Sequence, residues 1–470
     1  MSTVRSFVVR PSSIIFLLAF AFLLRIAFLF FAGVNSPLTG DELAYQQIAE
    51  NFAAGRGLFQ TNNPFFPGQI LYAWQAPLYP LSLGALYEIF GSHVLVAKLF
   101  GVVVSTATVY IVYDLARLIF DSSLEPLQLR LAAFIAAFLV AIYPGLLTNA
   151  HLVLSETLFI FLLLLAFDFV ARAITTNSAR AWLWLVGVGA AWGLATLTRG
   201  ITLYFTPLLA LWIGWVWWRN TKNGGLLRAL AAAALLMAIA ALVIAPWAAR
   251  NYFQFHQFVL LETKGGVNLW LGNSPYTPND FIRNVWKVGV REPMLNGLPN
   301  DEVARDRAAY ALALNYMRAA PLTFLSRVPI KFADFWGMER NLIDVADATT
   351  RGQGWNSPQK AAIDLVALLV YVLLILCGAA GFVFAPNDEW KILFGGFTLY
   401  FLSIHLVIFG DGRFHLPLIP FFALYAAWML VMFRRVTYSL PRLALTLFLM
   451  LLFVSVWARE MWAAYQILRG

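Results

Sequence analysis

Two adjacent carboxylates, Asp41 and Glu42, stand in the stretch NSPLTGDELAYQQIAENF (residues 35–52), directly after a long apolar run. A third, Glu156, opens another apolar run within HLVLSETLFIFLLLL. Cations stand in comparable places: Arg25, Lys98, Arg199 in TLTRGITLYF and Arg413 in GDGR. Carboxylates suit proton transfer, and ionisable groups at membrane depth cost at least ~2.5–3.5 kcal/mol each, which makes every one a functional hypothesis. Each also has a plain structural reading. Thr39-Gly40-Asp41-Glu42 reads as a capping box, with Thr39 bonding the N3 amide and Glu42 reaching back, and acids in a first turn suit the helix dipole. Arg25 and Lys98 can serve as anchors or pair with a carboxylate. Arg199 can mark a turn between two spans. His405 reads as a packed side chain ahead of a metal ligand, and His151, His256 and His415 as rim residues.

The elements that must position these groups follow from composition. The 470-residue chain is 61% hydrophobic, 16% aromatic and only 12% charged. Soluble domains are about a quarter charged, so this is an integral membrane protein. The net charge of +9 comes from basic residues scattered in short loops, which argues against a nucleic-acid partner. The single cysteine, Cys377, excludes an intramolecular disulfide framework and a Cys-rich metal site. The run 14–31 exceeds the roughly 7–15 residues of a signal h-region, and Gly33-Val34-Asn35 makes a poor cleavage site. It reads as a retained anchor.

A spanning helix needs about 20 mostly apolar residues. Candidates are 12–33, 93–119, 129–147, 151–174, 181–198, 201–218, 227–247, 361–384, 390–409, 414–433 and 441–460, eleven in all. Lys and Arg in short loops favour the cytoplasm, and a cytoplasmic N-terminus keeps Arg5, Arg10, Arg172, Arg180, Arg219, Lys222, Arg228, Lys391, Arg434, Arg435 and Arg442 on that side. Three outward loops follow. The first, 34–92, carries an interfacial helix over 41–54 and a second over 76–90, a roof for a cavity. The short loop 410–413 reads GDGR. The large loop, 248–360, has a helical signal over 301–320, with Asn300 placed to cap it and Pro321 to stop it, and reads as a small extracytoplasmic lid or subdomain between an N-terminal transmembrane region (1–247) and C-terminal transmembrane helices (361–470). In this topology Arg25, Lys98, Glu156, Arg199, His405, Asp411 and Arg413 lie in the outer half or at the outer rim. Asp114 and Asp168 lie toward the cytoplasm, where they snorkel or pair with Arg117 or Arg172. One-sided charge argues for a site open to the outer leaflet, since a transporter holds its ionisable groups near the midplane.

Several stretches, in order, resemble the GT-C glycosyltransferases that use polyprenyl-phosphate-linked sugars: LLRIAFLFF, GDELAYQQIAENFAAGRGLF, QAPLYPLSLGALYEIFG, VAKLFGVVVSTATVYIVYDLARLIF, HLVLSETLFIFLLLLAF, GLATLTRG, APWAARNYFQFHQFVLLETKGGVNLWLGN and GRFHLPLIPFFALYAAW. The nearest group is the bacterial branch related to the protein O-mannosyltransferases and the lipid A aminoarabinose transferases. The resemblance implies an all-α polytopic membrane protein, a GT-C-like bundle with juxtamembrane helices in the first outer loop, in the cell inner (plasma) membrane. It implies that Asp41 is the catalytic centre, that Glu156 matches the second acidic position, and that Arg413 faces the lipid phosphate. The aminoarabinose transferases resemble metal-binding enzymes with a Glu and a His among the ligands. That pair has no matching motif here, and a divalent metal is left open as a cofactor.

The expected reaction moves a sugar from a polyprenyl-phosphate donor to a lipid, glycan or protein acceptor outside the cytoplasm. Asp41 takes the proton from an acceptor hydroxyl that attacks the anomeric carbon with inversion. The lipid phosphate leaves with its charge offset by Arg413, Lys98, Arg25 or Arg199. Arg413 leads because it lies at the outer rim and a guanidinium grips phosphate through two bonds. Glu156 orients partner groups or helps hold a cation, Tyr45 faces the same cleft one turn after Asp41 or packs, and Glu42 stays between catalysis and capping. The rival readings are a transporter or lipid flippase and a polysaccharide ligase that uses diphosphate-linked donors.

Overall fold

A computed structural model describes residues 12–30, 34, 36–176, 178–220, 225–278, 287–337 and 357–469. Within them the chain is helical, and the one pair of extended residues that bridge is Gln60 with Leu71. In hydrocarbon, backbone polar groups must be satisfied inside the segment, so long apolar runs can only be helices. The elements are α1 (Ser12–Phe28), α2 (Asp41–Ala53), α3 (Leu78–Phe90), α4 (Val94–Phe120), α5 (Pro126–Ile142), α6 (Pro144–Asn149), α7 (Glu156–Thr175), α8 (Arg180–Thr198), α9 (Thr206–Asn220) and α10 (Gly225–Phe255). They continue with α11 (Gly265–Gly272), α12 (Val288–Leu295), α13 (Glu302–Ala319), α14 (Pro321–Phe335), α15 (Ser357–Phe384), α16 (Glu389–Val407), α17 (Ile419–Met432) and α18 (Leu440–Arg469). Two 3₁₀ turns, Gly200–Phe205 and Gly412–Leu418, lead into α9 and α17.

Nine helical segments among the described residues are long and apolar enough to cross a membrane. The other two expected spans are shorter. α1 and α5 have 17 residues each, at the lower edge of the roughly 17–25 that a crossing takes. The expected 12–33 also runs over 31–33, outside the described residues. The expected 129–147 is cut at Tyr143, whose extended backbone is what a residue before proline adopts, and the chain restarts as α6 at Pro144. Residues 151–155 form a turn, so α7 begins at Glu156. α10 instead outruns its expected 227–247, continuing past Pro246 to Phe255.

Helix packing rests on small residues and aromatic rings. α5 buries Ala132, Ala133, Ala136, Ala137 and Ala141 against α4 and α17, the close approach that small side chains allow between spans. Deeper, Phe167 of α7 meets Trp192 of α8, Phe394 and Phe397 of α16 and Phe421 of α17 edge to face, with centroids 5.8, 5.4, 5.5 and 5.5 Å away. Such pairs add about 0.5–1.5 kcal/mol each beyond burial. This hub ties together the four elements whose ends carry Glu156, Arg199 and Arg413.

The segment 36–92 and the segment 256–337 share a second, smaller core. Phe66, Leu71 and Trp74 pack with Val267, Trp270 and Leu271 of α11, Met294 of α12 and Ala309 and Ala313 of α13. Buried Glu302 stitches the two, accepting the Tyr72 and Ala73 amides at 2.8 and 3.1 Å and the Thr263 hydroxyl. α13 starts one residue later than expected: Asp301, not Asn300, caps it by accepting the Ala304 amide at 2.7 Å. Pro321 both ends α13 and begins α14, since proline suits a first helical turn.

Candidate active site

At one end of the bundle the turn before α7, the end of α8, the tip before α17, α2 and the 258–278 segment enclose a cleft of about 580 Å³. Asp41 reaches it from the first residue of α2. Gly40 precedes it with φ +53°, a conformation that glycine adopts without strain. Only half of the expected capping box forms. Glu42 reaches back to the Thr39 amide at 3.1 Å, but no side chain caps the helix, because the Gly40 turn carries the Thr39 hydroxyl to Glu42 instead.

Asp41, Tyr45, Glu156, Arg199 and Arg413 all line the cleft. Arg413 Nη2 donates to Asp41 Oδ2 at 3.2 Å, and its Nε lies 4.0 Å from Glu156 Oε1. Arg199 Nη1 holds the same Glu156 oxygen at 2.8 Å. Both guanidiniums lie beside the Phe414 ring, 5.6 and 5.3 Å from its centroid, which fixes their planes. Asp411 secures the tip by accepting the Arg413 amide at 2.9 Å. Tyr45 donates to Ser155 Oγ at 3.1 Å, joining α2 to the turn that presents Glu156.

Three further candidates lie apart from this group. Glu42 is buried and does not line the cleft: its carboxylate accepts the Val153 amide at 2.8 Å and holds α2 to the turn before α7. Burial pushes that carboxyl above its usual range, over the opposing effect of those amides and Lys98. Lys98 donates to Ser36 at 2.7 Å. Arg25 is fully buried between α1, α4 and α5, donating to Ser105 Oγ at 2.8 Å and to the Ala21 and Ala141 carbonyls.

Two cleft residues escaped the reading of the sequence. Lys264, in ETKGGVNLW, precedes α11 and reaches Glu262 at 3.5 Å. Its neighbour Gly266 lies so close to α13 that an added Cβ would sit 2.0 Å from the Asp306 carbonyl, so the double glycine is the signal that could have placed Lys264 at a close approach. Gln75 donates to Asp41 Oδ1 at 3.3 Å and accepts from Lys264 at 2.7 Å; YAWQAPLYP offers no such signal. For Asp41, burial alone would raise the carboxyl, but Arg413, Lys264 and Arg199 together hold it below the ordinary carboxylate value. Burial likewise opposes the charge on Lys264, and Glu262, Tyr45 and Asp41 outweigh it.

Among the described residues no three His, Cys, Asp or Glu side chains group as metal ligands. His405 borders the cleft but bonds the Phe401 carbonyl at 2.7 Å; of the cleft carboxylates, Asp41 and Glu156 hold guanidiniums, Glu262 pairs with Lys264 and Asp306 accepts the Gly266 amide. The cations beside Asp41, namely Arg413, Lys264 and Arg199, suit this part of the cleft to an anion. Ile201, Leu203, Phe401, Ile404 and Ile408 give the same cleft an apolar part to its lining.

Comparison with solved structures finds the apo oligosaccharyltransferase of Archaeoglobus fulgidus similar at 17% identity and TM-score 0.54, covering 95% of this chain and 55% of that one. The same organism's oligosaccharyltransferase AglB, in complex with an inhibitory peptide and a dolichol-phosphate, matches at 17% identity and TM-score 0.52, over 94% and 54%. ArnT from Cupriavidus metallidurans bound to undecaprenyl phosphate gives 16% identity and TM-score 0.40, over 95% and 78%. The chain thus spans about half the length of the oligosaccharyltransferases it matches, and the likeness to them is one of fold. No curated protein sequence matches. The model of the dolichyl-phosphate-mannose-protein mannosyltransferase family matches residues 13–262, more than half of the 470, and the chain belongs to that family.

Proposed function

We propose that the chain is a membrane glycosyltransferase that moves a sugar from a polyprenyl-phosphate donor to an acceptor on the extracytoplasmic side, with its N-terminus in the cytoplasm. The observation that carries this reading is the Asp41 carboxylate, set beside three cations in a cleft with one apolar wall. Family membership supports the donor class, and so does the dolichol-phosphate bound to AglB.

In the proposed reaction an acceptor hydroxyl attacks the anomeric carbon as its proton passes to Asp41. The bond from that carbon to the phosphate oxygen breaks, with inversion, and the electron pair leaves on the lipid phosphate. Arg413 and Arg199 are placed to take that charge, with Lys264 as a third cation; charge that is already oriented where negative charge develops needs no reorganisation during the reaction. Glu156 holds both guanidiniums toward the cleft. Glu42, Lys98 and Arg25 act on position: the first sets α2 against the Val153 turn, the others tie the first span and its loop to α4. The lipid chain lies along the Ile201, Phe401 and Ile404 wall.

The test reconstitutes the purified chain in liposomes with radiolabelled polyprenyl-phosphate-mannose and a detergent extract of envelope as acceptor source. Label should move to an acceptor from the monophosphate donor and not from the matching diphosphate. Movement of donor lipid between leaflets without any loss of sugar would support a flippase and overturn the reading.

A further inference from the structure

We propose that Gln75 is a positioning residue for Asp41, one that fixes the carboxylate plane and passes the charge of Lys264 to it. This inference rests on Asp41 being the base of the reaction above.

Chemistry alone fixes the orientation of the Gln75 amide. An ammonium can only donate and an ionised carboxylate can only accept. With Lys264 Nζ at 2.7 Å on one side and Asp41 Oδ1 at 3.3 Å on the other, Oε1 must face the lysine and the NH₂ group the aspartate. A flipped amide would oppose two donors at one end and two acceptors at the other. The result is one chain of alternating partners along the cleft floor: Glu262, Lys264, Gln75, Asp41, Arg413, Glu156.

The backbone that carries Gln75 has no freedom to drift. Glu302 holds the Tyr72 and Ala73 amides, and the Thr263 amide donates to the Ala73 carbonyl at 2.9 Å. Trp74 is locked in the smaller core, and Gln75 is itself buried. Residues 72–75 and 263–264 are thereby held side by side, and Lys264 addresses Asp41 through one amide. Gln75 grips Oδ1 while Arg413 grips Oδ2. Two donors on different oxygens define the carboxylate plane and leave each oxygen a lone pair for the cleft. The arrangement also explains a division of labour. Arg413 is placed to engage an incoming phosphate and so to loosen its hold on Asp41, whereas Gln75 carries no charge to lose to the donor.

The charged and titratable groups around Asp41 come from every neighbouring element. Arg413 faces it from the tip before α17, Arg199 from the end of α8, Glu156 from α7, Lys264 from the turn before α11 and Tyr45 from its own helix. Glu262, Asp306 and His405 also line the cleft. Gln75→Leu keeps every one of these charged groups in the chain and removes the two hydrogen bonds of the amide, the one to Asp41 and the one from Lys264, so the change in how Asp41 titrates reports the amide together with its hold on Lys264.

The experiment follows the Asp41 carboxylate directly in the purified full-length chain, as the infrared band of ¹³C-labelled aspartate that Asp41→Asn removes, across pH. In the wild type the midpoint should fall below the ordinary value of about 3.9. In Gln75→Leu it should rise by about one pH unit, the expected cost of losing a hydrogen bond to the charged form. The isosteric Gln75→Glu, which replaces the donor with an acceptor and keeps the packing, should raise it further and serves where the leucine variant does not fold. Midpoints in both variants within about 0.2 unit of wild type, at unchanged thermal stability, would overturn the inference. Failure of the proposed function is separable: it would appear as sugar transfer by Asp41→Asn, which leaves this titration as it stands.

Discussion

At its first residue α7 carries Glu156, paired with Arg199 at 2.8 Å; near its last it carries Asp168 and Arg172, with the guanidinium bridging at 2.7 Å to Asp168 and on to Asp114 of α4. Both ends of one helix thus assemble buried carboxylates with arginine. The surroundings differ. At the far end Arg172 lies over the Trp184 ring, 5.1 Å from its centroid, and its partners come from two adjacent helices that pack along their length. At the near end the partners come from α2, α8, the 264 turn and the tip before α17, and they border a cleft. An ion group that only joins neighbours is a staple. One gathered from four separate elements around a cavity, with a carboxylate left accessible, is equipped for chemistry. Asp41 keeps 45% of its side chain exposed, against 3% for Asp168.

Several substitutions would break or sharpen that contrast. Arg413→Met should lower transfer by about 10²–10³-fold, the usual loss on removing one preorganised charge partner, and weaken binding of polyprenyl phosphate in the same preparation; an unchanged affinity would place the phosphate elsewhere. At the opposite end Arg172→Met should leave transfer within about twofold but destabilise the protein by on the order of 2 kcal/mol, since Asp168 and Asp114 lose their cation and the arginine's partial exposure limits the loss. Thermal unfolding in detergent reads that difference. The smallest effect belongs to Asp306, which lines the cleft and accepts the Gly266 amide at 2.6 Å. Burial, with Glu262 and Glu302 nearby, raises its carboxyl to about 6. A raised acid binds more protons folded than unfolded, so its ionisation subtracts stability as pH climbs from about 4 to about 6. Asp306→Asn should therefore raise the melting temperature by on the order of 1–2 °C at pH 7, and the gain should vanish below pH 4.

The helical architecture was legible because hydrocarbon leaves an apolar run no alternative; the first juxtamembrane helix was legible because Ile48 and Phe52 on one side, Gln47 and Glu50 on the others, could neither span nor dissolve, and the second because its apolar, aromatic run is too short to span and stops at Gly91. Proline effects at Tyr143–Pro144 moved boundaries that hydropathy alone drew too long. The site was legible only in part. Asp41 and Arg413 lie 372 residues apart, a distance that no periodicity bridges, so their pairing was out of reach of hydropathy and spacing. Arg199, read both as a turn residue and as a candidate for the lipid phosphate, sits at the C-cap of α8 and also faces Glu156; a turn and a cleft wall look the same in one dimension. Lys98 and Arg25 looked alike to Arg413 by depth, but depth does not say which side of a helix faces the cavity. Gln75 is neutral, and a search for charges passes over it.

In the proposed reaction Asp41 acts as the base and not only as the residue at a helix start. The most direct measurement compares wild type and Asp41→Asn in one liposome preparation, following sugar transfer from the polyprenyl-phosphate donor together with binding of the lipid phosphate. Transfer should fall by about 10²–10⁴-fold, the usual contribution of a positioned base, while the lipid phosphate still binds through Arg413, Arg199 and Lys264. Turnover near wild type in Asp41→Asn would contradict it.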